Sequence, residues 1–215
     1  MTTQHFDVAG FDFCFGLEAG QMKSLDLPVE SPALVGQQLV DRFPNADAFR
    51  HAVGSELRRQ TDRERRAPFC PTNLRMYRQT YWGLVALGSV SDPILPWAAP
   101  GPRAVIEVLP ALMARRLCPK VPYKLQPNGL DGRIQLVAKL EESLSLEIED
   151  MYRMRLLADV EGDAVDAVLS AVEAGGALAA KFGVRRQFTK HPAKAGFTRW
   201  TRDYTPAGEP GNIVI

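Results

Sequence analysis

Strand-forming sequence is scarce in this chain. Only 8–13, 103–109 and 211–215 carry short, apolar, strand-like composition. Helix-like segments outnumber them: 33–42, 46–59, 74–88, a run from Pro110 to about Leu117, 129–142 and 161–181. A few strands among many helices point to an α/β fold with a central sheet and several packed helices. Local signals mark some of the boundaries. Asn45 suits the cap of the helix over 46–59, and Thr72 or Asn73 that of the helix over 74–88. Pro110 suits a first helical turn, where its missing N–H costs little. Pro93, Pro96, Pro100 and Pro102 make 89–103 a structured loop.

At 215 residues the sequence is expected to form a single domain over 1–215. Its 46% hydrophobic and 24% charged content excludes wholesale disorder. A net charge of +1 excludes a generally basic coat, though a local basic groove remains compatible with it. No run reaches the ~20 apolar residues of a membrane span, and Met1–Asp7 lack a signal-peptide layout. Cys14, Cys70 and Cys118 are odd in number and far apart, so a reducing, cytoplasmic setting with three buried or semi-buried thiols is expected. With only His5, His51 and His191, there is little material for a histidine-built zinc site or a Ser-His-Asp triad.

The chemistry in the sequence lies in its acids. Asp12 falls within the apolar run 8–13, and Glu107 within Val105–Leu109. A lone buried carboxylate is costly, so Asp12 should be paired, metal-bound or at a strand's mouth. Asp163 and Asp166 stand three residues apart on one expected helix, a spacing that lets both project from one face and invites a compensating cation. A bland alternative is that they favour the N-terminal end of that helix. If the four converge, their oxygens suit Mg²⁺ or Mn²⁺, and two such ions suit phosphoryl transfer.

Basic sequence is concentrated in two places. Arg58–Arg66 holds five arginines in nine positions, and reads either as a solvated helix end or as a phosphate-contacting segment. The stretch Lys181–Arg202 has seven basic residues, no acid, and Phe188, Phe197 and Trp200 interleaved, and reads either as a surface that stacks bases and holds a phosphate backbone or as a long loop pinned to the core by its aromatics. Arg58, Arg78, Arg185, Arg186 and Arg199 are the candidate phosphate or nucleic-acid contacts.

Several blocks together resemble a known family. They are Gly10-Phe-Asp-Phe-Cys-Phe-Gly-Leu17, Thr61-Asp-Arg-Glu64, Pro71-Thr-Asn-Leu-Arg-Met-Tyr-Arg-Gln-Thr80, Val105-Ile-Glu-Val-Leu-Pro-Ala111 and Gly162-Asp-Ala-Val-Asp-Ala167. In this order they resemble the predicted nucleases of ribonuclease-H-like fold grouped as domain-of-unknown-function family 429. The resemblance implies a reduced ribonuclease-H-like domain, shortened at its N-terminus and lacking the strand with the family's first acidic residue. It implies that Asp12, Glu107, Asp163 and Asp166 are the catalytic and metal-binding residues.

Three functional readings follow. The first is a divalent-metal-dependent nuclease or phosphodiesterase. The second is a non-catalytic nucleic-acid or protein-interaction module on the same reduced fold. The third is a hydrolase of a small phosphorylated molecule. With so few strands, a homodimer or larger homo-oligomer is expected to cover the exposed sheet edge, the alternative being a monomer whose segment 14–44 folds over the gap.

Overall fold

A computed structural model describes residues 7–99, 101–125, 127–144 and 146–183. The strand expected at 211–215 and the basic residues Arg185, Arg186 and Arg199 lie outside them. The elements run in the order β1 (Val8–Phe11), α1 (Ala19–Ser24), α2 (Pro32–Arg42), α3 (Ala46–Val53), α4 (Gln60–Arg65), α5 (Tyr77–Leu87), β2 (Ile94–Leu95), β3 (Ala104–Glu107), α6 (Pro110–Leu117), α7 (Gly129–Leu144), α8 (Asp150–Ala158) and α9 (Asp163–Gly183). The result is a mixed α/β fold, with a small parallel sheet packed against several helices. No described helix is long and apolar enough to cross a membrane.

The described residues gather into two compact units: residues up to Val108 together with α9 from Ala174, and Leu109–Glu173. The first holds the sheet, in the order β1-β3-β2 with both pairings parallel. Every residue of β3 is buried, as a central strand requires. The register pairs Phe11 with Glu107. Asp12 therefore stands one residue beyond the end of β1, at the strand's mouth.

Phe15, Leu39, Phe49, Tyr81 and Leu84 form the heart of this unit's larger core. α2 and α5 cross closely at Gly36, where an added Cβ would lie 2.0 Å from the Leu84 carbonyl oxygen. Ser31 caps α2 by accepting from Ala33 N–H at 3.2 Å. Asn45 caps α3 by accepting from Ala48 N–H at 2.8 Å. α3 stops at Val53 instead of continuing toward 59, because Gly54 turns the chain at φ 75°. α5 starts at Tyr77, later than expected, because Asn73 caps a preceding turn by accepting from Arg75 N–H.

The second unit packs α6, α7, α8 and the start of α9 around Leu136, Leu140, Val165 and Leu169. Arg133 of α7 is among the most deeply buried side chains, at 2% exposure. It donates from Nε to the Leu157 carbonyl at 3.0 Å and from Nη1 to the Tyr123 carbonyl at 2.9 Å. Its charge thus meets a carbonyl at the C-terminal end of α8, where the helix dipole favours a cation.

Candidate functional site

Glu107 ends β3 and is buried, but its oxygens belong to an arginine. Arg59, at the residue before α4, donates from Nη1 to Glu107 Oε2 at 2.9 Å and from Nη2 to Oε1 at 2.6 Å. This is the two-pronged geometry that matches a guanidinium to a carboxylate. The same guanidinium holds Asp62, with Nη2 to Oδ1 at 2.7 Å and Nε to Oδ2 at 3.1 Å. Asp62 also reaches back to accept from Arg59 N–H at 2.9 Å, fixing the first turn of α4. Phe15 N–H completes the Glu107 shell at 3.1 Å.

All three charged side chains are buried, and two negative charges share one positive charge. Burial pushes the Glu107 carboxyl up from its ordinary value, against the opposing pull of Arg59. Cys14 lies in the same electrostatic neighbourhood. Burial pushes its thiol up to about 12, against the opposing pull of Arg59. The Arg-x-x-Asp spacing of 59–62 is the signal that could have found this network. Taken as a charge run alone, the whole arginine stretch looks like surface.

The other sequence-predicted acids sit in three different environments. Asp12 is partly exposed, and its backbone carbonyl accepts from the Gln79 side chain. Asp163 is exposed in the first turn of α9. Asp166, one turn on, is buried; it accepts from Tyr123 Oη at 2.6 Å and pairs with Lys124 Nζ. The compensating cation expected for the Asp163/Asp166 pair is, at Asp166, the Lys124 ammonium. Among the described residues no three His, Cys, Asp or Glu side chains are grouped so as to hold a metal ion. Glu107 and Asp166 give both carboxylate oxygens to protein donors, so neither is poised as an open ligand.

α9 takes its N-terminal cap from Asp159, a residue that sequence reasoning missed. Asp159 accepts from Ala164 N–H at 2.6 Å, and that bond holds its carboxyl below the ordinary value. Gly162, at φ 77°, makes the turn between them.

Withdrawal of Asp62 to the interior changes the surface around α4. Arg58, Arg63 and Arg66 are exposed and Arg65 is half-buried, while Glu64 is the acid left in the run and accepts from Gln60 at 2.8 Å. Arg58 donates to the carbonyls of Ala67 and Pro68. Arg75 lies over the Phe69 ring, 5.4 Å from its centroid. Neither is paired with a carboxylate among the described residues; Arg58 bonds the Pro68 carbonyl, and Arg75 lies over the ring of the next residue, Phe69. Arg78 differs. It donates from Nε to Tyr77 Oη at 2.9 Å and pairs with Asp47 at 3.4 Å, an acid held below its ordinary value chiefly by the Tyr77 hydroxyl. Its charge is already answered.

Beside this surface is a cavity of about 320 Å³, within the size range of small-molecule sites. Phe15, Met22, Val35 and Trp97 contribute apolar wall, and Arg59, Gln60 and Arg63 line one side. Compared with known proteins, the chain matches no family model, no curated protein and no solved structure.

Proposed function

We propose that this chain binds the phosphate backbone of a nucleic acid through the arginine surface of residues 58–75. One observation carries the reading. Arg58 and Arg75 present uncompensated guanidinium groups beside Pro68 and Phe69, while the nearest acid to Arg58 in the run, Asp62, is committed to Arg59 inside. Guanidinium groups contact phosphates through charge-assisted hydrogen bonds, and the Phe69 ring under Arg75 adds an aromatic element to the surface. A thiol-reducing compartment such as the cytoplasm is part of the reading; the three free cysteines, all buried, are consistent with it.

The test is fluorescence anisotropy of a labelled single-stranded oligonucleotide across a salt series. Affinity should fall steeply as salt rises. In an Arg58→Gln/Arg75→Gln variant it should weaken, and the slope of log K against log salt should shrink by about 1.4, as two lost phosphate contacts require. Binding that ignores salt, or ignores this pair of substitutions, overturns the proposal.

Metal-dependent phosphodiester hydrolysis on a ribonuclease-H-like sheet is the second reading, and it too has an observation in its favour. β1 and β3 are adjacent parallel strands, and Asp12 and Glu107 stand at their carboxyl ends, where open α/β sheets bind ligands. Glu107 would have to leave Arg59 before it could take a metal. This reading therefore expects Mn²⁺ to loosen the Arg59–Glu107 pair, and expects cleavage of an oligonucleotide in Mn²⁺ that Asp12→Asn abolishes. Self-association along the short edge strands β1 and β2 belongs to the same reading. Sedimentation equilibrium that gives the monomer mass at every concentration would remove it.

A further inference from the structure

We infer that the cavity beside α4 is a binding site for a small amphipathic anion: an apolar body with a single negatively charged group, held separately from any nucleic acid. The walls set the body of the ligand. Phe15, Met22, Val35 and Trp97 offer ring and aliphatic surface, which favours burial of an apolar group. The cavity volume of about 320 Å³ limits the size of that group.

Hydrogen bonds within the chain already engage most of the polar lining. The Glu18 carboxylate accepts from the N–H groups of Gly20 and Gln21. Ser31 is engaged by Ala33 N–H, and Gln60 by Glu64. Arg59 is held by Asp62 and Glu107. Arg63 remains: it is exposed, it lines the cavity, and no carboxylate among the described residues pairs with it. An anionic group on a ligand in the cavity meets that guanidinium in a charge-assisted hydrogen bond. Glu18 sets an opposing charge at the same cavity, so the ligand's charged group has to lie on the α4 side.

The experiment is isothermal titration of the full chain with three probes of one shape: naphthalene-2-carboxylate, 2-naphthol (neutral at pH 7) and 2-naphthylmethylamine (cationic at pH 7). The carboxylate should bind one per chain and tightest, the naphthol more weakly, and the amine weakest. Arg63→Gln should cost the carboxylate about tenfold, as loss of a charge-assisted hydrogen bond implies, and leave the naphthol unchanged. Val29→Trp, at an exposed lining position, should block both without disturbing the core. Arg58→Gln/Arg75→Gln should leave carboxylate binding intact, which separates this site from the proposed nucleic-acid surface. Equal binding of the carboxylate and the naphthol, tighter binding of the amine, binding that survives Val29→Trp, or no binding at all would each overturn the inference.

Discussion

Each of the two units buries an arginine, and they satisfy it in opposite ways. In the first unit Arg59 meets two carboxylates, Glu107 and Asp62, from separate elements. In the second, Arg133 meets only neutral acceptors in its described hydrogen bonds, the carbonyls of Leu157 and Tyr123. Both solve the same problem, since a buried charge without partners is prohibitive. The consequences differ. Arg59 ties the end of the central strand to α4 through charges that become liabilities once separated. Arg133 satisfies carbonyls, one of them at a helix end, and its removal leaves polar groups unsatisfied but no orphaned charge. The first arrangement also has an effect at the surface: by drawing Asp62 inward it leaves the arginines around α4 with Glu64 as the acid of their run.

Removing each cation is the sharpest way to break this comparison. Arg59→Met should cost about 3–5 kcal/mol of stability, because it strands two buried carboxylates. Arg133→Met should cost less, about 1–3 kcal/mol, the range for buried acceptors left without donors. Denaturant unfolding of both variants checks the ranking, and equal losses would erase the distinction. The smallest effect should come from Asp159, the cap of α9 beside the α8 end that Arg133 secures. Asp159→Asn should cost about 1 kcal/mol or less, since the group lies near the surface, where solvent screens its charge. Because its folded carboxyl sits below the ordinary value, its contribution is full above that ordinary value and is lost as pH falls through the lowered one. The wild type and the variant should therefore converge in stability as the solution is acidified. A gap that stays constant from neutral pH into strong acid would contradict this role.

The helical parts of the fold were legible in the sequence because their boundaries are local. The Asn45 side chain and Pro110 mark helix starts through their own chemistry, and both do so in the structure. What escaped was of two kinds. α1, α4 and β2 are six, six and two residues long, too short for an apolar period to declare itself. α8 sits in an acid-rich stretch whose charge hid it, and there Arg153 bonds Glu141 and lies beside Asp150. The candidate site was legible only in part. Glu107 stood out as a carboxylate in an apolar run and Asp166 by its spacing from Asp163, and both are buried. Their partners, Arg59 and Lys124, stand 48 and 42 residues away, and no local pattern announces pairings over such distances. A strand carboxylate that wants a cation looks the same in sequence whether a metal or a distant arginine supplies it.

Glu107 is above all the structural partner of Arg59, and a double-mutant cycle measures that pairing most directly. Unfolding free energies of the wild type, Arg59→Met, Glu107→Leu and the combined variant give the coupling between the two side chains. Adding Glu107→Leu to Arg59→Met should recover about 1–3 kcal/mol, because one stranded carboxylate is removed and only Asp62 remains unpaired. Strictly additive losses, with the combined variant the least stable of the four, would contradict the pairing.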